Sequence, residues 1–313
     1  MEINNDIKII KLLENYNLTD NSRFKILRES TDNIVYSVGT KEKKILRLGK
    51  HLPIQEVEFE IEIMQRLRQG GIPVPEPVRN IHGDLFTITS DNKVVVMFDF
   101  IEGYHAISSE KNVPNINQTH TAGVMLGKIS KTGVNFKPHP KRQRTIFSEL
   151  ERALRTSDIF RKEFDGGEEF IKEVESMLNF GKNNFTNIGI VHNDYRPGNV
   201  IFKSDLEIVG VIDFDWCCIG AQMKDLGLSV VEWSLPDGQD APNEDSFRSF
   251  LDGYYEGLET KGLIHKDLVN SWIRFACLSD ACTYFCDRFK LASLKKSIRH
   301  SYMYNKYLIF SRH

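Results

Sequence analysis

The stretch that most restricts this chain is IVHNDYRPGNVIF, residues 190–202, followed by VIDFDW at 211–216. Apolar runs on either side read as short buried strands. The segment between them carries His192, Asn193, Asp194, Arg196 and Asn199 around Pro197 and Gly198. A turn selected for solubility needs no such set. The next strand-like run ends on another carboxylate, Asp213, so the two acids are expected to project from neighbouring strand ends into one cleft.

These residue types suit phosphoryl transfer. That reaction asks a protein for metal ligands, a group that orients or deprotonates the attacking hydroxyl, and cations on the phosphates. Asp194 is placed to hydrogen-bond an acceptor hydroxyl and take its proton. Asn199 and Asp213 offer the hard oxygen donors that Mg2+ prefers, and Arg196 offers a cation for charge developing on the transferred group. His192 reads as a structural hydrogen-bonding residue.

Upstream, residues 5–16 follow a helical period through Ile9, Leu12, Leu13 and Tyr16. RFKILRE, NIVYSVG and KKILRLG then read as an antiparallel meander with polar turns. A helix is expected over 53–69, stopped by Gly70, Gly71 and Pro73, and LFTITS and VVVMFDF complete a sheet of about five strands. In KKILRLG, Leu46 and Leu48 share one face and Arg47 takes the other. On the helix, Val57, Ile61, Met64 and Leu67 form an apolar stripe that also contains Glu60. An inward carboxylate needs a partner, and Arg47 is the obvious one.

The expected architecture is α+β with two lobes. Residues 1–103 form a small antiparallel-sheet lobe with one helix, and residues 104–313 form a larger, mainly helical lobe. The pattern from about residue 117 is helical except over 188–214, with four further helices after Asp225. Segment 131–145, with its Pro and Gly residues and several cations, reads as a mobile surface loop. The 313 residues carry a net charge of only −2, which favours small-molecule partners over nucleic acid. The five cysteines, without a CxxC pair, read as reduced thiols and not as a zinc site. With no apolar run of membrane-spanning length and no cleavage-site pattern at the start, the chain is expected to be cytoplasmic, free of the membrane, and a monomer or homodimer.

HNDYRPGN with IDFDW, the ILRL strand, EIEIMQRLRQGGIPVPEP and VVVMFDFIEG together resemble the aminoglycoside phosphotransferase and choline kinase superfamily, which has a protein-kinase-like fold. The likeness runs in order from about residue 24 to 235, and VIDFDWCCIGAQMKDLGLSVVEWSLPDG is similar to bacterial homoserine kinases of this fold. The resemblance implies an ATP-dependent kinase using Mg2+, with Asp194 as base and Asn199 and Asp213 as metal ligands. It also implies that Arg47 with Glu60 positions the phosphates, that backbone groups near Asp99 to Ile101 hold adenine, and that Asp225 braces the catalytic loop. Arg47 stands where many relatives have lysine, and Asp215 stands two residues after Asp213 where protein kinases have glycine. No GxGxxG covers the nucleotide, so RESTDNIVYSV offers Ser30, Thr31 and backbone N–H groups instead.

The acceptor is expected to be a small molecule carrying both a hydroxyl and an amine, either a homoserine-like amino acid, an amino alcohol or an aminoglycoside. Between Trp216 and His265 there are nine carboxylates against three Lys or Arg. Within that region Glu232 and Trp233 offer an anion and an aromatic face for an ammonium group, and Asp215 is grouped with them at the substrate. A catalytically silent binding or structural protein on the same fold is the alternative, disfavoured by the intact Asp194, Asn199 and Asp213. A protein kinase is disfavoured because the chain lacks an APE-like segment and a long activation loop after Asp213.

Overall fold

In the computed structural model, residues 9–18, 24–30, 33–40, 42–50, 53–106, 114–260, 265–288 and 296–312 are described, which leaves out Thr31 and the first four residues of the helix expected at 5–16. Five antiparallel strands build the first sheet: β1 Phe24–Glu29, β2 Asn33–Val38, β3 Lys44–Gly49, β4 Thr87–Ile88 and β5 Val94–Asp99, in the order β1-β2-β3-β5-β4. Side-chain alternation divides this sheet. Tyr36, Val38, Leu46, Val95 and Met97 pack on Ile9, Leu13 and Tyr16 of the N-terminal helical turn. Val94, Val96 and Phe98 point the other way and join the core with Val57, Ile61, Met64 and Leu67 of the helix Ile54–Gln69.

That helix begins behind Pro53, whose fixed φ suits a helix entry, and ends where Gly71 takes φ 78 and the Ile72 N–H reaches Leu67 O at 3.0 Å. Its length and stop are those the sequence signals. Arg47 in β3, registered against Val96 of β5, therefore lies under Glu60 of the helix.

The remainder is built of the helices Ile116–Gly133, Ser148–Arg155, Ser157–Glu163, Gly167–Asn183, Met223–Ser234, Glu244–Leu258, Lys266–Arg288 and Tyr302–Phe310. Ile116–Gly133 and Glu244–Leu258 touch backbone to backbone. A Cβ added at Gly123 would come within 2.2 Å of Phe250 O, and one at Gly257 within 2.1 Å of Val124 O, so a larger residue at either would force these helices apart. Two hairpin-like pairs carry the central loop: Ile188–Val191 with Cys218–Ala221, and Val200–Ser204 with Glu207–Val211. The short strand Tyr104–His105 pairs with Val200–Ser204, so the chain leaving the first sheet is stitched to the second hairpin.

Segment 131–145 is not the free surface loop its composition predicts. It starts as the last turn of Ile116–Gly133 and is then tied down by Arg142, whose side chain is only 4% exposed. Arg142 pairs with Glu56 and donates to the carbonyls of Asp215 and Cys217, the latter at 2.7 Å, while His139 N–H donates to Glu62 at 3.1 Å. A buried guanidinium must be satisfied, and this one holds the segment in place by being so. The five cysteines are free thiols, four of them buried. Among the described residues, no helix is long and apolar enough to cross a membrane.

Candidate active site

The loop from His192 to Asn199 is held from below. Asp225, at the start of the helix Met223–Ser234, accepts the N–H groups of both His192 and Asn193, the second at 2.7 Å. Tyr195 is fully buried and donates to Ala122 O at 3.0 Å, which roots the loop on Ile116–Gly133. His192 is also fully buried, and burial lowers its pKa to about 4, so the ring is neutral. Its Nε2–H faces the carbonyl of Ile212 at 3.1 Å, which leaves Nδ1 to accept the Asp194 N–H at 3.3 Å. His192 thus couples the loop to the strand end before Asp213.

Strand register brings the three key oxygen donors together. Val200 pairs with Val211, and Ile212 N–H bonds Asn199 O at 3.0 Å, so Asn199 and Asp213 sit side by side at one end of the hairpin. Asn199 donates through Nδ2 to the backbone oxygen of Asp194 at 2.9 Å and to Asp194 Oδ2 at 2.7 Å. Arg196 Nε lies 3.2 Å from Asp194 Oδ1. Burial raises the Asp194 carboxyl to about 7; Arg196 opposes the shift, and the charges of Asp213 and Asp280 add to it. That value suits a group that must accept a proton near neutrality.

The donor set fits a hard divalent cation. Asn199 uses Nδ2 on Asp194, which leaves Oδ1 as its oxygen donor. Asp213 projects its carboxylate from a left-handed backbone at φ 69, a conformation that costs a non-glycine residue roughly 1–3 kcal/mol and is characteristic of functional positions. Among the described residues, no three His, Cys, Asp or Glu form a metal cage. Two oxygen donors without a cage are what Mg2+ uses when phosphates and water complete its shell, and they are a poor match for zinc.

Across the cleft, Arg47 and Glu60 form the bidentate pair that the helical periodicity implies, at 2.7 and 2.6 Å, with both residues buried. Burial works against the Arg47 charge, but Glu60 and Asp215 more than offset it, and its pKa stays above the ordinary arginine value. Asp215 is therefore placed differently from the expectation that grouped it with the acceptor. Its carboxylate is taken by Arg47 and by Asn33 of β2, on the sheet side of the cleft. Ser30 lines the cleft, and its hydroxyl accepts the Asn33 N–H at 3.1 Å, which fixes the turn that presents Asn33. Asp99, paired with Lys44 at 2.5 Å, lines the same wall with Phe98, Phe100 and Ile101.

Asp194, Arg196 and Asp213 line one cleft of about 550 Å³ together with Arg47, Glu60, Asp215, Ser30 and Asp99, while Asn199 is buried and is joined to it through its bond to Asp194. At the far end of the cleft stand Trp216, Glu232, Asp280 and Tyr302. Trp233 is not among them: it is fully buried, packed among the rings of Tyr195, Phe202 and Phe250. Adjacent helix residues diverge by about 100°, so Glu232 and Trp233 cannot face one ligand. Trp216 and Tyr302 line the cleft instead, each already bearing a cation, with Arg144 Cζ 3.7 Å from the Trp216 ring centroid and Lys306 Nζ 5.1 Å from that of Tyr302. Glu232 faces the cleft while paired with Lys306 at 3.0 Å. Asp280 makes no hydrogen bond or ion pair with another described residue, and burial followed by repulsion from Glu232 pushes its carboxyl up to about 6. The sequence held a signal for Asp280. It follows Ile273 and Cys277, both fully buried, at helical spacing, the same cue that exposes Glu60. Arg28, Asn33, Arg142 and Lys224 were also missed, and an isolated cation in a loop such as Arg142 offers no periodicity to read.

The two lobes and the loop between them define a phosphotransferase of protein-kinase-like fold that acts on a hydroxyl group. The chain belongs to the phosphotransferase enzyme family APH, whose pattern matches residues 23–260. It is 25% identical over 236 residues to a homoserine kinase of Zymomonas mobilis subsp. mobilis, covering 74% of this chain and 71% of that one. Among solved structures it resembles the amicoumacin kinase hAmiN in complex with AMP-PNP, Ca2+ and Ami, with a TM-score of 0.71, 15% identity and 92% and 88% of the two chains covered. It also resembles the microcompartment-associated aminopropanol kinase, with a TM-score of 0.66, 18% identity and 98% and 96% covered.

Proposed function

We propose that the protein is an ATP- and Mg2+-dependent kinase that phosphorylates a hydroxyl of a small amine-bearing acceptor. The observation that carries this reading is the meeting of Asp194, Asn199 and Asp213 at one hairpin end, with Asp194 and Asp213 lining the same cleft as the buried Arg47–Glu60 pair. The homoserine kinase relative, the aminopropanol kinase and the AMP-PNP and Ca2+ of the amicoumacin kinase complex support it.

In this reading residues 1–103 serve the nucleotide and residues 104–313 serve catalysis and the acceptor. Backbone groups over Asp99 to Ile101 hold the adenine, Ser30 lies at the phosphates, and Arg47, steered by Glu60, orients them. Asn199 and Asp213 would hold Mg2+, which supplies charge neutralisation of the phosphates when bound. Asp194 holds the acceptor hydroxyl in line and takes its proton as the bond from the acceptor oxygen to the γ-phosphorus forms and the bond to the β-phosphate oxygen breaks, with ADP as leaving group, and Arg196 offsets the charge that develops beside it. An ammonium group on the acceptor meets Asp280, with Glu232 beside it.

The test is an assay of ATP consumption and product mass over L-homoserine, short amino alcohols, aminoglycosides and neutral sugars. A phosphate monoester on one or more amine-bearing acceptors is expected. A preference for neutral sugars would overturn the acceptor class, and absence of transfer from ATP to any hydroxyl would overturn the reaction.

A further inference from the structure

The sheet side of the cleft is short of cations for a triphosphate. Arg47 is shared by two carboxylates, Glu60 and Asp215, so its charge is already engaged. Lys44 is held by Asp99, and Lys50 by Glu29 and the carbonyl of Ser30. The turn after β1 lacks the glycine-rich sequence that offers backbone N–H groups to phosphates. The Ser30 N–H is itself bonded to Asn33 O at 2.9 Å.

Arg28 differs from these cations. It sits near the end of β1, its side chain is 57% exposed, and it reaches across the cleft to Asp213 Oδ2 at 2.9 Å. No other side chain of the sheet ion-pairs with Asp213 among the described residues. The guanidinium thus already occupies the place where the sheet meets a proposed metal ligand.

We propose that Arg28 is a phosphate-binding residue: it gives up Asp213 when that carboxylate takes a divalent cation, and turns its planar fork to the terminal phosphates of the nucleotide. The inference rests on the nucleotide reading above and adds a contact to it. Arg28 is suited to the exchange because its partner is exposed to the cleft. An exposed pair of this kind is weak, whereas a guanidinium binds phosphate through two parallel charge-assisted hydrogen bonds. It would stand in for the amides that a glycine-rich loop supplies elsewhere.

Calorimetric titration of the full chain in Mg2+ tests this without relying on turnover. Arg28→Ala should weaken ATP binding about tenfold, as expected for loss of hydrogen bonds to a charged group. Adenosine binding should be unchanged, and Arg28→Lys should fall between. The ATP affinity of the unsubstituted protein should fall more steeply with salt than that of Arg28→Ala. Equal ATP affinity in Arg28→Ala and the unsubstituted protein would overturn the proposal. Tighter binding in the variant would do so too, since it would make the Arg28–Asp213 pair a competitor of the metal. Failure of the unsubstituted protein to bind ATP at all would overturn the nucleotide reading and this inference together, a result distinct from either of the others.

Discussion

On the sheet side of the cleft each cation has its carboxylate: Arg47 with Glu60 and Asp215, Arg28 with Asp213, Lys44 with Asp99. At the far end the balance is reversed. Glu232 is held by Lys306, but Asp280 beside it makes no hydrogen bond or ion pair with another described residue. The difference separates two jobs. A closed set of pairs fixes geometry, since a buried guanidinium with two carboxylates leaves little freedom to the strand and helix that carry them. An unpaired, partly desolvated carboxylate is held ready for a charge that arrives from outside.

The largest expected effect lies where the two ends meet. Asp194→Ala should lower turnover by on the order of 100-fold or more while leaving ATP affinity within about threefold, because its contact strengthens only as the proton moves. Calorimetry and steady-state rates together check it, and abolished ATP binding would turn Asp194 into part of the paired, structural end.

Next in size, Asp213→Ala and Asn199→Ala should each weaken ATP binding about tenfold or more in Mg2+ and much less in chelator, since coordination is the proposed role. Equal losses with and without metal would assign both residues to scaffolding instead.

Asp280→Asn sharpens the other side of the comparison. It should lower kcat/KM for an amino alcohol about tenfold relative to its deaminated analogue, with ATP affinity unchanged, as expected when a charged hydrogen bond is lost. An equal loss for both acceptors would mean that Asp280 shapes the cleft without meeting an ammonium group.

The smallest effect is one of pH. Because burial and Glu232 hold the Asp280 carboxyl near 6, it becomes neutral as pH falls through that value and loses its hold on a cation. The preference for the amine-bearing acceptor should therefore fade below about pH 6 and be complete above it. Glu232→Gln removes the repulsion that raises Asp280, so the same fading should move to lower pH. A discrimination profile flat between pH 5 and 8, ranges on the order of those sampled by titrating carboxylates, would detach specificity from this carboxylate.

Glu60 was legible in the sequence because it breaks an apolar helical stripe, and Arg47 because it breaks an apolar strand alternation; each violation pointed at the other. Asp280 breaks the stripe of Lys266–Arg288 in the same manner and could have been found so. Trp233 is not legible as buried from its place beside Glu232, because neighbours in a helical sequence face different ways. Asp215 is grouped with Glu232 and Trp233 at the acceptor in the sequence reading, but the 3-10 turn at Phe214–Trp216 sends its side chain toward Arg47.

What the sequence determined by itself is local and periodic: the five-strand sheet with its helix, the polar loop between short strands, the kinase-like order of motifs, and the inward-facing Arg47 and Glu60. The sheet, its helix and the inward pair follow from side-chain repeats of 2.0 and about 3.6 residues, which need no knowledge of distant contacts, whereas the order of motifs is read by resemblance to a known family. Only the tertiary structure decided the rest. It set Arg142 under Asp215 and Cys217, brought Asp280 beside Glu232, and stretched Arg28 across to Asp213 over 185 positions of chain. Each of these depends on how separately formed elements pack. A charge in a loop or on an edge strand carries no periodic mark of the partner it will meet.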